Sequence, residues 1–158
     1  MVTNKDIAIL DEFLKNRNVD YVLTGTAALY YHGLLPENTQ VHDIDIIVLT
    51  TAETRLATMA VFKELEELSG CTLDNEHYEQ KVFIFKIGEN SIKVNAFESC
   101  STVGPYPKNR TFLIGDDHIR VHNALDALRA KFYLNRQKDH NFFIKLVNQL
   151  LNMFPDNV

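Results

Sequence analysis

The spacing of apolar residues predicts helices and strands that alternate along the chain. Apolar positions three or four residues apart indicate helices at 4–15, 26–32, 52–68, 123–135 and 138–153. Short runs rich in Val, Ile and Phe, bounded by Gly, Asn or Pro, indicate strands at 20–23, 41–49, 80–87, 91–97, 111–114 and 118–121. Because helices and strands alternate before two helices finish the chain, we predict an α/β fold.

Three of these helices carry apolar stripes that we predict to face the core. The stripe of the helix at 52–68 consists of Leu56, Met59, Phe62, Leu65 and Leu68. The two C-terminal stripes consist of Val121, Leu125, Leu128 and Phe132, and of Phe142, Phe143, Leu146 and Leu150. Lys131 follows Ala127 and Ala124 at helical spacing, so we expect it over a row of small residues beside the first of these two stripes.

Two aspartates interrupt the apolar strand at 41–49. Residues two apart in a strand point to the same side, so Asp43 and Asp45 share one face while Ile44, Ile46 and Val48 fill the other. A carboxylate next to a core requires a partner or a metal ion. The pattern therefore favours a Mg²⁺ site, although acids near a strand end also occur solvated or paired with Arg or Lys.

A glycine turn precedes this strand. Gly25 and Thr26 stand where a predicted strand gives way to a short helix that Gly33 ends. Backbone N–H groups at a helix start attract phosphate, and the hydroxyls of Thr24 and Thr26 would add donors. The alternative is that Gly25 only permits a tight turn and Thr26 only caps the helix.

These residues resemble the nucleotidyltransferase fold of the DNA polymerase β superfamily. The likeness is closest to the small bacterial and phage branch that includes AbiEii-type toxins and minimal nucleotidyltransferases. That branch reads G-[GST]-x-A-L-x-x-x-G and then D-[IV]-D-[LIF], and the matching residues here are Gly25, Thr26, Ala28, Leu29 and Gly33, then Asp43, Asp45 and Ile46. The late segment KFYLNRQKDHNFF is similar to the helical signature of the family, a Lys followed by Arg-x-Lys-Asp.

The resemblance implies a nucleotidyltransferase-type core with a small mixed β-sheet at 1–122. Helices at 123–158 would close over the cleft, and the two parts would form a single compact unit. The implied reaction is the transfer of a nucleotidyl group from an NTP to a hydroxyl acceptor, dependent on Mg²⁺ or Mn²⁺.

The same resemblance implies roles for particular residues. Asp43 and Asp45 would bind the metal ion and act in catalysis, together with Lys131. The nucleotide-binding residues would be Thr24, Gly25, Thr26 and Lys131. In the family the matching lysine is implicated in phosphate binding, while the alternative for Lys131 is a surface lysine whose stem covers apolar atoms.

The chain departs from the family at the position of the third carboxylate. Active members carry an Asp on a neighbouring strand, and the matching residue here is Asn95. The amide oxygen of Asn95 can still bind a hard cation, but it carries no charge and cannot act as a general base. Glu98 lies on the opposite face of the strand and does not replace the missing acid.

The C-terminal region carries an excess of positive charge. Between positions 129 and 145 the only acid is Asp139, and the basic residues are Arg129, Lys131, Arg136, Lys138 and Lys145. This charge suits an anionic substrate, and we expect Arg136 and Lys138 to contact solvent, phosphate or a partner. Asp139 either completes the acidic site or, as we favour, stabilises a helix start.

Composition narrows the remaining classes of function. The net charge of −5 argues against a general nucleic-acid coat, and no apolar run reaches the length of a membrane span. Cys71 and Cys100 have no metal-ligand spacing, and without a secretory signal they predict reduced thiols in a cytoplasmic protein. We do not expect His118 and His122 to bind zinc as a pair, because the residues between them indicate a strand. His42 is interpreted as a surface residue.

Two functions of different class remain. The first is Mg²⁺-dependent nucleotidyl transfer to a small molecule, a tRNA end or a protein hydroxyl. The second is a catalytically degenerate domain of the same fold that binds a nucleotide or a protein partner. A toxin–antitoxin component is compatible with either function.

Overall fold

The computed structural model describes residues 1–36, 38–51, 53–69, 82–98, 111–114, 119–134 and 136–153. The elements follow in the order α1 (Asn4–Lys15), β1 (Tyr21–Thr24), α2 (Gly25–Tyr31), β2 (Asp43–Val48), α3 (Arg55–Ser69), β3 (Val82–Ile87), β4 (Ile92–Glu98), β5 (Thr111–Ile114), β6 (Ile119–His122), α4 (Ala124–Leu134) and α5 (Gln137–Met153). The predicted α/β fold is confirmed, and the predicted ends differ by a few residues. Cys71, Cys100 and His118 lie outside the described residues.

The described strands form one six-stranded mixed sheet in the order β3-β4-β2-β1-β6-β5. β2 runs antiparallel to β1 and parallel to β4, and β1 runs parallel to β6. β3 and β5 pair antiparallel at the two edges. Because β2 lies in the interior of the sheet, side chains from β1 and β4 are held on either side of its aspartates.

Apolar side chains from along the whole described chain fill the core. On β2, Ile44 and Ile46 are fully buried whereas Asp43 and Asp45 are only partly buried, as the alternation along the strand predicts. Leu10 of α1 and Phe142 of α5 belong to the same buried cluster. Within the described residues, no helix is both long enough and apolar enough to span a membrane.

The predicted core stripe of α4 is partly wrong. Leu125 and Phe132 are 53% and 75% exposed, whereas Ala127 is fully buried. α4 packs against α2, where Ala27 and Ala28 are also buried. Small side chains on both helices permit a close approach, so the alanine row faces the core and the larger apolar residues point outward.

The stripes of α3 and α5 are also only partly buried. Phe62 and Leu65 of α3 are buried, but Leu56 near its start is 81% exposed. In α5, Phe142 and Leu146 are buried while Leu150 is 43% exposed. The side chain of Leu68 lies outside the described residues. Periodicity identified these helices correctly, but the predicted stripes include residues near the helix ends that are exposed to solvent.

The turn before α2 differs from the sequence-based expectation in one respect. Thr26 does not cap the helix, because α2 begins at Gly25 and Thr24 occupies the cap position. The side chain of Thr24 makes no capping hydrogen bond. Gly33 ends the helix as predicted, with φ of 67°, and the N–H of Leu34 donates to the carbonyl of Leu29 at 3.0 Å.

Candidate active site

Asp43, Asp45 and Asn95 meet on one face of the sheet. In the parallel pairing of β2 with β4, Asn95 lies directly opposite Asp45. Its Nδ2 donates to Asp45 Oδ1 at 2.8 Å and, more weakly, to Asp43 Oδ2 at 3.4 Å. The structure therefore brings together the three residues that the sequence suggested as metal ligands, and it places an amide between two carboxylates.

The Asp45 carboxyl group is destabilised in its ionised form. Burial raises its pKa to about 6, and the negative charge of Asp43 contributes to the rise. The hydrogen bond from Asn95 and the charges of Lys131 and Arg136 act in the opposite direction. Burial and the charge of Asp43 together outweigh the opposing effects, so the pKa is raised. A cation bound at Asp43 and Asp45 would stabilise the ionised carboxylates, which the hydrogen bond from Asn95 does only in part.

Gly25 lies against the Asp45 side chain. In the antiparallel pairing of β1 with β2, Thr24 is opposite Asp45, and the chain turns into α2 at the next residue. Gly25 has φ of 65°, and a Cβ atom built on it would lie 2.5 Å from Asp45 Oδ2. Two independent features therefore require glycine at this position. They are the left-handed backbone conformation and the close approach of the Asp45 carboxylate.

The Thr24 hydroxyl is bonded within the protein. Thr24 is buried, and its Oγ1 shares a 2.7 Å hydrogen bond with Nδ1 of His122, which is 3% exposed. Nε2 of His32 donates to the carbonyl of His122 at 2.9 Å. Sequence reasoning missed this network, and the only signal was a histidine at the end of a predicted strand. Thr26, by contrast, is partly exposed at the start of α2.

A buried charge cluster joins the end of α4 to the start of α5. Asp139 is 1% exposed and accepts two hydrogen bonds from the Arg136 guanidinium, from Nε at 2.6 Å and from Nη2 at 3.0 Å. The Lys131 Nζ lies 3.8 Å from Asp139 Oδ1 and 4.7 Å from the centre of the Phe142 ring. Arg136, expected to contact solvent, phosphate or a partner, is held by Asp139 and remains 37% exposed.

The charges of this cluster are interdependent. Burial acts to raise the pKa of Asp139, but the hydrogen bonds and charge of Arg136, together with Lys131, hold it below its ordinary value. Burial lowers the pKa of Lys131, although Asp139 and Asp45 both favour its charged form. The positive charge of Lys131 is thus stabilised by Asp139 of α5 and by Asp45 of β2. Lys131 therefore links the buried cluster electrostatically to the aspartate pair.

The remaining candidate metal ligand beside Asp43 in the sequence is His42. His42 is exposed, as expected. In the part of the chain that the structure describes, no three His, Cys, Asp or Glu side chains form a group that could hold a metal ion. Among the described residues, Asn95 is the side chain that hydrogen-bonds to both Asp43 and Asp45.

Comparisons with known proteins identify the fold. No family model matches the chain, and no curated protein matches it in sequence. A Thermotoga maritima protein assigned as a nucleotidyltransferase has a similar structure, with a TM-score of 0.58, 20% identity, and coverage of 94% of this chain and 96% of that one.

Two further solved structures agree. An antigenic nucleotidyltransferase-like protein from Paracoccidioides brasiliensis gives a TM-score of 0.55 at 12% identity, over 92% of this chain and 76% of its own. The antibiotic-resistance factor ANT(2″)-Ia, in complex with adenylyl-2″-tobramycin, gives a TM-score of 0.52 at 16% identity, over 91% of this chain and 87% of its own. With its mixed sheet and flanking helices, this chain has the nucleotidyltransferase-type α/β fold.

Proposed function

We propose that this protein transfers a nucleotidyl group from an NTP to a hydroxyl acceptor, with Mg²⁺ or Mn²⁺ as cofactor. The observation that carries the proposal is the close group of Asp43, Asp45 and Asn95 on two neighbouring strands. A rigid sheet holds these side chains in place before any ligand arrives, and positioning and charge neutralisation supply most of the catalysis in phosphoryl transfer. The fold of the solved relatives supports the same reaction class.

The donor set fits one divalent cation. Hard cations prefer carboxylate and amide oxygens, and the raised pKa of Asp45 reflects two like charges that a cation would neutralise. Asn95 would bind through its amide oxygen after a rotation of the side chain. The metal, when bound, supplies positive charge to the phosphate that is transferred. Asp43 and Asp45 hold it and Asn95 completes the set.

The surrounding residues suit a triphosphate. In this proposal Thr24, Gly25 and Thr26 hold the phosphates through the backbone of the turn, with the partly exposed Thr26 hydroxyl as a donor. Lys131 contributes positive charge from α4. The C-terminal helices at 123–158 would then close over a cleft formed by the core at 1–122. This placement agrees with the electrostatic attraction between Lys131 and Asp45.

The proposed acceptor is a molecule that carries a hydroxyl group. The ANT(2″)-Ia complex contains an adenylylated aminoglycoside, so a small hydroxylated molecule is one acceptor class. Membership of the AbiEii-type branch would favour a tRNA end or a protein hydroxyl, and a toxin–antitoxin role, in the cytoplasm. Each of these acceptors presents a hydroxyl to the same aspartate pair.

Asn95 favours a second candidate function. It hydrogen-bonds to both aspartates, at a position where an acid would complete a three-carboxylate site, and it cannot take a proton from an attacking hydroxyl. A domain that binds nucleotide or a protein partner without turnover would keep the fold and tolerate this residue.

Calorimetric titration of the four NTPs, with and without Mg²⁺, separates the two candidates. The variant is Asp45→Ala, and the matched control is Asp20→Ala, at a half-exposed aspartate paired with Arg120. Nucleotidyl transfer requires metal-dependent NTP binding that Asp45→Ala abolishes and Asp20→Ala retains. Absence of binding by the wild-type chain would contradict the transferase proposal. Binding that needs no metal and survives Asp45→Ala would favour the degenerate domain.

A further inference from the structure

The acidic face of the sheet carries enough negative charge for one divalent ion. Of the three side chains that meet on β2 and β4, Asp43 and Asp45 are carboxylates and Asn95 is a neutral amide. Among the described residues, no third His, Cys, Asp or Glu side chain joins them as a possible metal ligand. A pair of divalent ions lies about 3.5–4 Å apart in proteins that hold two, and carboxylates between the ions must offset their repulsion. Two carboxylates balance the charge of one such ion only.

Asn95 contacts both carboxylates with the same nitrogen. Its Nδ2 lies 2.8 Å from Asp45 Oδ1 and 3.4 Å from Asp43 Oδ2. An amide has a single oxygen, whereas a carboxylate has two oxygens that can be shared between two ions. After a rotation of its side chain, Asn95 can therefore complete the ligands of one cation, but it cannot bridge two cations as a third carboxylate would.

Positive charge reaches the same aspartates from the C-terminal part of the chain. Burial raises the pKa of Asp45, and the charges of Lys131 and Arg136 act against that rise, so both charges reach its carboxylate. The attraction is reciprocal, because burial lowers the pKa of Lys131 and Asp45 is one of the charges that oppose this effect. A second metal ion near Asp45 would therefore be repelled by two positive side chains.

Asp139 anchors these two positive side chains. Its carboxylate accepts hydrogen bonds from the guanidinium of Arg136 at 2.6 and 3.0 Å and from the backbone N–H of Arg136 at 3.3 Å. The Nζ of Lys131 lies 3.8 Å from Asp139 Oδ1, beyond hydrogen-bonding distance, and its side chain is only 12% exposed. Asp139 balances one of the two positive charges, so these three side chains together keep one net positive charge.

We infer that the acidic face binds a single divalent cation, and that Lys131, anchored with Arg136 by Asp139, supplies the positive charge that a second ion would otherwise supply. The inference rests on the proposed function and specifies its metal requirement. Asp43 and Asp45 hold the ion in that function. Lys131 offsets part of the charge of the triphosphate, and it does so without a further set of acidic ligands.

Electron paramagnetic resonance with Mn²⁺ alone as the probe tests the number of ions. Two Mn²⁺ ions about 3.5–4 Å apart couple magnetically, so their spectrum differs from that of a single bound ion, and the readout does not depend on activity. Titration counts the bound ions per chain in the wild type, in Asp45→Ala and in Asn95→Asp. The control for Asp45→Ala is Asp20→Ala, at a partly exposed aspartate paired with Arg120.

Lys131→Met tests the contribution of the lysine. Removal of a positive charge that acts on Asp45 should raise the affinity of the site for Mn²⁺ by about threefold or more. Loss of a side chain with a merely structural role would leave that affinity unchanged or lower it. Lys145→Met removes an exposed lysine of α5 and is the matched control, with an unchanged affinity expected.

We expect the wild type to bind one Mn²⁺ with an uncoupled spectrum, which Asp45→Ala abolishes and Asp20→Ala retains. Asn95→Asp should bind a second ion and show the coupled spectrum. A coupled pair in the wild type, a single ion in Asn95→Asp, or no gain in affinity with Lys131→Met would overturn the inference. A coupled pair in the wild type would leave the proposed metal-dependent function intact, whereas absence of any Asp45-dependent Mn²⁺ binding would contradict both.

Discussion

Asn95 and Asp45 are register partners in the parallel pairing of β4 with β2, and the Asn95 amide donates a 2.8 Å hydrogen bond to the Asp45 carboxylate. The same amide lies 3.4 Å from Asp43. An uncharged donor thus stabilises a pair of like charges that burial would otherwise disfavour. A substitution at any of the three positions is therefore expected to change the stability of this face of the sheet.

We predict that Asn95→Asp makes stability dependent on divalent metal. A third carboxylate replaces the donor by another negative charge, so the metal-free variant should be less stable than wild type by about 1–3 kcal/mol. Saturating Mn²⁺ should raise the melting temperature of the variant more than that of wild type, because the added charge increases affinity for the ion.

Asn90→Asp, at an exposed position of the turn between β3 and β4, is the matched control. Differential scanning fluorimetry with and without metal compares the two variants. A metal-induced shift of Asn95→Asp no larger than that of Asn90→Asp would contradict a cation site at the aspartate pair.

Asp45→Asn should stabilise the protein at neutral pH. The pKa of Asp45 is raised to about 6 from 3.8, so the folded protein holds a proton that the unfolded chain releases. This group's contribution to stability is complete below about pH 4 and is lost as pH rises through about 6, with a total of about 1–3 kcal/mol.

Urea unfolding between pH 4 and pH 8 measures this effect. The stability difference between Asp45→Asn and wild type should be near zero at the acidic end and should grow to favour the variant above pH 6. A difference that does not change with pH would show that the Asp45 carboxyl group titrates normally.

Gly25→Ala should disturb both the fold and the acidic face. The left-handed backbone costs a non-glycine residue about 1–2 kcal/mol, and the added methyl would meet Asp45 Oδ2, which adds at least about 1 kcal/mol. Gly33→Ala is the control, because Gly33 has a similar φ of 67° but open space around it. Thermal unfolding should show a larger loss for Gly25→Ala, and equal losses would contradict the close approach to Asp45.

Asp139→Ala should be more destabilising than Asp20→Ala. It leaves Lys131, which is 12% exposed, without its carboxylate partner and removes two hydrogen bonds from Arg136, at a cost of about 1.5–3 kcal/mol. In Asp20→Ala the lost pair with Arg120 is partly exposed, at 39% and 36%, so the cost should be below about 1 kcal/mol. Chemical denaturation that gives similar losses for both would contradict the structural role of Asp139.

Local sequence patterns predicted the acidic strand well. Two-residue alternation placed Asp43 and Asp45 together, which needs only strand periodicity encoded within a few residues. Asn95 was identified through the resemblance to the nucleotidyltransferase family, as the residue that matches the third carboxylate. The alternative in which Thr26 caps α2 is wrong, because the helix begins one residue earlier, at Gly25.

Contacts between distant parts of the chain were not predictable in the same way. Nothing near Thr24 indicates that its hydroxyl bonds to His122, 98 residues later. The exposure of Phe132 was also not predicted. Periodicity identifies an apolar side of α4, but it does not indicate which side packs against α2. Close packing of alanines decided that choice, and it depends on tertiary structure.

The parallel pairing of β1 with β6 has a consequence for how the chain folds during synthesis. β1 can pair with β2 early, but its other edge stays open until β6, ending at His122, leaves the ribosome. Val22 and Leu23, fully buried in the finished sheet, lie on that strand. An unpaired apolar edge is a template for association, so a nascent chain that stalls before β6 would be a target for chaperones or aggregation.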